Sequence, residues 1–195
     1  MCIRDRARTG TQRLSLLELC LPTLRGLSPQ QYQAFRSRLL RWISADGKTV
    51  LAEWCLFQMV RHYLDPELLG ARPPRPRHKS LAAVASDLSI ALATLAYLTT
   101  EDTERAFARG SELLDLPLEL PALSGLEITA FGTAVDNLAE LYPLLKVSVL
   151  RAMAAVAGDD GVVSDEELTL VKAMAAVMDC PVPDAMLEAH GIAVT

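Results

Sequence analysis

The feature that most constrains the fold is an internal repeat with a constant offset of 114 residues, for example from position 46 to position 160. A single offset at polar, proline and glycine positions, kept without a gap over about forty residues, indicates two copies of one structural unit. The coinciding pairs are Leu24 with Leu138, Leu27 with Leu141, Pro29 with Pro143, Asp46-Gly47 with Asp160-Gly161, Glu53 with Glu167, and Asp65 with Asp179.

Each copy consists of an apolar helix, a turn with the pattern D-G-x5-E, and a second apolar helix. One such hairpin cannot bury its own apolar stripe, whereas two hairpins that face each other can. No segment shows the alternating apolar and polar pattern of a strand. The sequence therefore predicts an all-α fold, a helical bundle built from two helical-hairpin repeats, with residues 24–66 and 138–180 adopting the same hairpin.

The amino-terminal part predicts two amphipathic helices. From Arg13 to Arg25 leucines recur at three- and four-residue intervals, and Pro22 is expected to break or kink this helix. A second helix is predicted to begin at Pro29, with Ser28 as its cap, and to end at the Asp46-Gly47 turn. Its apolar stripe comprises Tyr32, Phe35, Leu39, Leu40 and Ile43.

A third helix, from about Val50 to Leu64, is apolar on most sides and is expected to be central and buried. Asp65-Pro66 is expected to stop it, because proline lacks a backbone N–H. Residues 71–79 contain three prolines and several basic residues, a composition typical of an extended connector. This connector is the predicted internal boundary.

Ser80 is predicted to cap a long apolar helix, Leu81–Thr99. Its length and basic flank match a membrane span, but Asp87 inside it would cost about 2.5 to 3.5 kcal/mol on insertion. We therefore expect a buried helix of a folded domain, with a membrane span as the alternative. The remaining predicted helices are Glu101–Leu114, Ser124–Glu140, Pro143–Ala157 and Ser164–Met178.

These elements divide the chain into four parts. Residues 1–11 begin with MCIRDR, which resembles a translated sequencing-adapter tract, so they are interpreted as a non-native or disordered leader. Residues 12–70 hold the first repeat, and residues 71–79 form the basic connector. Residues 80–189 form the second helical half, which contains the second repeat at 138–180.

Charge is distributed unevenly along the chain. The first 79 residues carry 14 basic and 6 acidic side chains, a balance of +8, whereas residues 80–195 carry 5 basic and 18 acidic ones, a balance of −13. The two parts therefore attract each other or attract different partners. Because the basic residues are spread over several segments of a chain with net charge −5, nucleic-acid binding is not expected.

The repeated acidic turns are the candidate metal sites. Gly161 and Glu167 match positions 6 and 12 of a calcium-binding EF-hand loop, but position 1, which must supply an oxygen ligand, is Val156 in this copy and Trp42 in the other. The preferred interpretation is structural, with Ser164-x-x-Glu167 as a capping box. The alternative is a weak cation site built from four converging carboxylates: Asp46, Glu53, Asp160 and Glu167.

No other pattern supplies a catalytic or zinc-binding arrangement. The sequence contains no HExxH, no G-x-S-x-G and no P-loop, and its histidines are scattered. His62 near a helix end is interpreted as a dipole-favoured histidine rather than a catalytic base. We assign no catalytic and no cofactor-binding residue.

The cysteines are expected to be free thiols of a reducing compartment. The cysteines, without a C-x-x-C pair, are Cys2, Cys20, Cys55 and Cys180.

With D-G-x5-E between apolar helices twice, the chain resembles the TerB-like helical domains. More specifically, it resembles the carboxy-terminal extension of bacterial membrane zinc metallopeptidases of the CAAX prenyl protease and HtpX type. The resemblance spans about residues 12–184. The motifs that carry it are LLELCLPTLR at 16–25, Ala45-Asp-Gly47 with Glu53, the connector Arg-Pro-Pro-Arg-Pro-Arg-His-Lys, and Asp159-Asp-Gly161 with Asp179-Cys-Pro181.

The resemblance implies a parent enzyme whose zinc-binding HExxH helix and membrane spans lie upstream, so zinc belongs to the parent and no catalytic role maps onto this chain. It implies a non-catalytic, cytoplasmic accessory domain, tethered to the inner membrane through upstream segments. The partner is then its own protease domain or another protein. The alternative is a stand-alone TerB-like module that responds to stress or cations. A third interpretation is an enzyme that uses His62 with nearby carboxylates.

Overall fold

The structure, a computed structural model, describes residues 10–43, 51–72, 74–161 and 163–189. Regular structure within these ranges is helical, apart from one isolated bridge between His78 and Leu141. The predicted all-α class is therefore confirmed. The chain separates into two compact units between Pro73 and Pro74, inside the predicted connector.

The first unit is built around a central helix. Helices α1 (Gly10–Leu24) and α2 (Pro29–Ile43) both pack against α3 (Leu51–Leu68), which confirms the central position predicted for the third helix. The predicted apolar faces meet in this core, except that Leu40 is 41% exposed. The buried core residues are Leu21, Tyr32, Val60 and Leu64, flanked by Leu17, Leu24, Leu27, Phe35, Leu39, Tyr63, Leu68 and Leu69.

Two prolines lie inside helices that were expected to end or bend at them. Helix α1 continues through Pro22 to Leu24, so the predicted break is wrong, whereas the alternative, a kink at Pro22, stays a prediction. Helix α3 continues through Pro66 to Leu68, so the predicted stop is wrong. Each proline occupies the last turn and only two helical residues follow it, so the hydrogen bond that it removes affects only the end of the helix. Helix α1 includes residues 10 and 11, the last two of the predicted leader.

The second unit is a larger helical assembly. Helix α4 packs against α5, α6 and α7, while α8 packs against α6 and α7. Short 3-10 helices precede α4 (Leu81–Val84) and α6 (Leu123–Gly125). The helices of this unit are α4 (Ala85–Thr99), α5 (Thr103–Leu113), α6 (Ile128–Leu138), α7 (Pro143–Ala157), α8 (Asp165–Val177) and α9 (Asp184–Ala189).

Helix α4 occupies the centre of the second unit, as expected for a buried helix. Asp87 accepts a hydrogen bond from Asn137 Nδ2 at 3.2 Å, which gives this carboxylate a partner on α6. Within the described residues, Leu81–Thr99 is the one helical stretch long and apolar enough to cross a membrane. Ser80 precedes it, but its side chain makes no capping hydrogen bond, because the chain enters through a 3-10 turn; the predicted cap is wrong.

The other helix limits follow the prediction to different degrees. Helix α7 has the predicted limits, and α8 begins directly after its cap Ser164. Helix α5 is shorter because Asp102 caps it, with Asp102 Oδ1 accepting from Arg105 N at 3.2 Å. Helix α6 begins at Ile128 rather than Ser124, since a 3-10 turn takes up the preceding residues. Helix α9 was not predicted.

We call α2 with α3 the first hairpin, and α7 with α8 the second hairpin. At an offset of 114 residues, α2 and α7 begin at equivalent positions, Pro29 and Pro143. The ends of the second helices differ by five residues, because α8 ends at Val177, equivalent to Tyr63, whereas α3 continues to Leu68. The superposition of the two copies stays a prediction.

Candidate functional site

The four predicted carboxylates are distributed over both units. Asp46 lies outside the described residues, and Glu53 lies in the first turn of α3. Asp160 is exposed in the turn before α8, and Glu167 lies in the first turn of that helix. Among the described residues, no group of three or more histidine, cysteine or acidic side chains is placed to hold a metal ion.

Glu167 is engaged by its own helix. Its Oε2 accepts from Ser164 N at 2.8 Å, and Ser164 Oγ accepts from Glu167 N at 3.2 Å, which confirms the predicted capping box. Helix α2 begins in the same way: Gln31 Oε1 accepts from Ser28 N at 2.8 Å, and Ser28 Oγ accepts from Gln31 N at 3.3 Å. The cap predicted at Ser28 is therefore also confirmed.

The turn of the second hairpin is fixed by a buried carboxylate that the sequence analysis assigned no role. The Asp159 side chain is only 3% exposed and pairs with Arg105 Nη2 at 2.6 Å and Arg109 Nη1 at 3.3 Å. Burial by itself raises the pKa of Asp159, but the hydrogen bonds and charges of the two arginines outweigh it and leave this pKa below its usual value. We call these three residues the Asp159 clamp.

A cleft of about 590 Å³ opens beside the clamp. Arg109 belongs to both, because it pairs with Asp159 and also lines the cleft. Helix α7 supplies one wall, and the segment that leads into α9 supplies another. The lining residues that define it are Arg109, Val147, Leu150, Arg151, Val163 and Met186, together with small residues of α7 and the 181–185 segment.

Each hairpin places a buried polar side chain at the same repeat position. In the first hairpin, Tyr32 Oη donates to Asp65 Oδ1 at 2.6 Å, and burial followed by this hydrogen bond raises the pKa of Tyr32. At the equivalent position Lys146 Nζ donates to the carbonyl of Met178 at 3.1 Å. Both side chains connect the first helix of their hairpin to the end of the second.

The aligned aspartates at the ends of the hairpins have different roles. Asp65 is buried, and its Oδ2 pairs with Arg36 at 3.1 Å and lies 3.6 Å from Arg61 Nε. Asp179 is exposed and adopts the left-handed conformation, φ +53°, after the end of α8. Its N–H bonds to the carbonyl of residue 176, and the next N–H bonds to that of residue 175, which is a Schellman helix end.

The largest difference between the two hairpins is the burial of one side of the first helix. In the second hairpin Val149, Ala152 and Val156 are fully buried, and α7 packs there against α4 and α5. The approach is close, since a Cβ added to Gly110 of α5 would lie 2.7 Å from Val156 Cγ2. In the first hairpin the equivalent residues form what we call the α2 flank, in which Trp42 is 68% exposed: Phe35, Arg38 and Trp42.

The cysteines and histidines among the described residues belong neither to the Asp159 clamp nor to the lining of the cleft. Cys20 is exposed, Cys55 is buried and Cys180 is half-buried, and all three carry free thiols. Burial raises the pKa of Cys55. The ring of His62 stacks edge-on against Tyr63, with 5.2 Å between their centroids. Cys2 and His190 lie outside the described residues.

Comparison with known proteins adds no relative: no family model, curated protein or solved structure matches this chain. The resemblance to TerB-like domains therefore stays a prediction based on sequence motifs. Two groups that the sequence analysis missed are the Asp159 clamp and the cluster around Asp65. The sequence contains one indication of the clamp, because Asp159 occupies the repeat position at which the first copy has Ala45.

Proposed function

We propose that this chain is a non-catalytic, cytoplasmic interaction domain of a membrane zinc metallopeptidase-like protein, and that it binds the protease domain encoded upstream of it. Zinc and the catalytic residues then belong to that upstream part. The family assignment rests on the motifs that resemble the carboxy-terminal extension of such enzymes. The binding role rests on the α2 flank.

The observation that carries the binding role is the exposure of Trp42. Its equivalent Val156 is fully buried under neighbouring helices, whereas Trp42 is 68% exposed at the same position of a helix that begins at the equivalent residue. An exposed tryptophan beside partly exposed Phe35 is a favourable anchor for a partner, because burying a large aromatic side chain contributes much of the affinity at protein interfaces.

The charge of α2 indicates the chemistry of the partner surface. Within Pro29–Ile43 there are three arginines and no acidic residue. Arg36 pairs with Asp65, whereas Arg38 and Arg41 are exposed to solvent. A complementary surface therefore presents an apolar patch to Trp42 and carboxylates to these two guanidinium groups.

The test is co-purification of this chain with the polypeptide encoded upstream, expressed separately. Trp42→Ser is expected to weaken the complex by about tenfold or more, as for an interface anchor. Leu144→Ser is the matched control, because Leu144 is 85% exposed but belongs to the second hairpin. The control is expected to bind like the unmodified chain.

Two results would contradict the proposal. Equal binding by Trp42→Ser and the unmodified chain would remove the α2 flank from the interface. An upstream reading frame without HExxH and without apolar spans, or a native start codon near Arg8, would remove the metallopeptidase assignment.

A further inference from the structure

We propose that the cleft of the second unit is a binding site for a single-chain amphiphile, an alkyl chain that carries an anionic headgroup. Its volume of about 590 Å³ lies inside the range of about 300–1,000 Å³ typical of small-molecule sites. Every lining residue belongs to the second unit, so this inference is independent of the binding role of the α2 flank.

The walls of the cleft are predominantly apolar and come from three successive parts of the chain. Val147 and Leu150 project from α7, Val163 follows the turn after it, and Met186 belongs to α9. The turn packs closely, since a Cβ added to Gly158 would lie 3.2 Å from Val163 Cγ2 and 3.8 Å from Met186 Sδ. These walls provide continuous apolar contact for an alkyl chain.

Two guanidinium groups give the cleft its preference for an anion. Arg109 is oriented by its ion pair with Asp159, which Arg105 also binds, and its side chain is half-exposed beside the cleft. Arg151 is exposed on α7 and lines the same cleft. Asp184 is the one acidic residue among the described lining residues, so the lining carries two cations and one anion. Guanidinium groups bind carboxylate and phosphate oxygens in bidentate geometry.

The combination of walls and charges selects the ligand class. A small polar anion would leave the apolar walls exposed to water, and a neutral hydrocarbon would form no charge-assisted hydrogen bond with Arg151. An alkyl carboxylate or an alkyl phosphate covers the apolar walls and also pairs with a guanidinium group. Both headgroups bind guanidinium through their oxygens, and titration with one amphiphile of each kind distinguishes them.

The test is calorimetric titration of the full chain with laurate and dodecyl phosphate below their micelle-forming concentrations, with dodecanol below its solubility limit, and with acetate. Saturable binding of laurate or dodecyl phosphate at one site is expected, and the tighter of the two identifies the headgroup. Dodecanol is expected to bind about tenfold more weakly, because it forms no charge-assisted hydrogen bond. Binding of acetate as tight as that of laurate, or no saturable binding of either anionic amphiphile, would overturn the proposal.

Three variants locate the site. Arg151→Gln changes an exposed residue, so the fold is retained, and laurate affinity is expected to fall by about tenfold. Ala155→Phe fills the cleft and is expected to abolish binding, whereas Ala108→Phe, at an exposed position of α5 outside the lining, is the matched control. Unchanged laurate affinity in Arg151→Gln would overturn the proposal whether or not Ala155→Phe folds.

Discussion

The first helices of the two hairpins begin at equivalent positions, Pro29 and Pro143, yet they are buried differently. Helix α7 is covered by α4 and α5 on the flank that α2 leaves exposed at Trp42. Among the described residues of the first unit, which form α1, α2 and α3, no helix covers Trp42, which is 68% exposed. The same local pattern thus produces a core helix in one context and a surface helix in the other.

The residues at equivalent positions follow this difference in burial. Val156 is small and apolar, which suits the close approach of α5 at Gly110, and Ala152 on the same flank is fully buried. Arg38 and Trp42 are long, and they suit a surface that contacts water or a partner. The comparison teaches that the repeat dictates where helices begin, and that the neighbouring helices dictate what each position requires.

The largest expected difference between the hairpins concerns the aligned aspartates. Asp65→Asn is expected to cost about 2 kcal/mol, because the buried carboxylate loses its charge opposite Arg36 and its charge-assisted hydrogen bond from Tyr32. Asp179→Asn is expected to be neutral, since asparagine tolerates the left-handed conformation. Urea unfolding of both variants measures the difference, and equal losses of stability would show that the two positions are used alike.

The second prediction compares the loss of stability on truncating Val156 with that on truncating Trp42, its equivalent in the α2 flank. Val156→Ala is expected to cost about 2 kcal/mol, because two buried methyl groups and their contacts are removed from the core. Trp42→Ala is expected to change stability by less than about 0.5 kcal/mol, as for an exposed position. A destabilisation by Trp42→Ala as large as that of Val156→Ala would mean that the α2 flank is covered in the free chain.

A smaller effect is expected at the acidic turn of the second hairpin. Glu167→Ala is expected to cost about 1 kcal/mol through the lost capping box, whereas Glu166→Ala, in the same turn but outside the box, is expected to cost less than half of that. Both are measured by thermal unfolding. Millimolar calcium is expected to shift the melting temperature little, and a large shift abolished by Glu167→Gln would establish the cation site instead.

The smallest effect is visible only in acid solution. The pKa of Asp159 is lower in the folded state than in the unfolded chain, so the unfolded chain takes up a proton first as the pH falls. The stability from the clamp is therefore complete above the ordinary aspartate pKa of about 3.9 and is lost as the pH falls through the lower folded value. Between neutral and acid pH, the denaturant concentration at the unfolding midpoint is expected to fall less steeply for Asp159→Asn than for the unmodified chain. Parallel pH curves for the two proteins would contradict this.

Local signals in the sequence predicted local structure well. The proline and apolar spacing of 143–157 gave the limits of α7, and Ser164 with Glu167 gave a capping box, because both depend on residues within a turn of each other. Pro22 and Pro66 misled the prediction, since a proline in the last turn costs one hydrogen bond that packing offsets.

The side-chain clusters around Asp159 and Asp65 could not be predicted from such local signals. Arg105 and Asp159 are separated by 54 positions and meet only because α5 packs against α7. Tyr32 and Asp65 are separated by 33 positions and meet across the first hairpin. No periodicity encodes such pairs, and with one sequence only the substitution of Ala45 by Asp159 between the copies pointed to one of them.

The most direct test of the central claim, that the first hairpin leaves uncovered the flank that the second hairpin buries, is the fluorescence of Trp42. Trp54→Phe removes the other tryptophan, which is buried, and leaves Trp42 as the single reporter. In the free chain we expect red-shifted emission that acrylamide and iodide quench readily. Blue-shifted emission protected from both quenchers in the free chain would contradict the account.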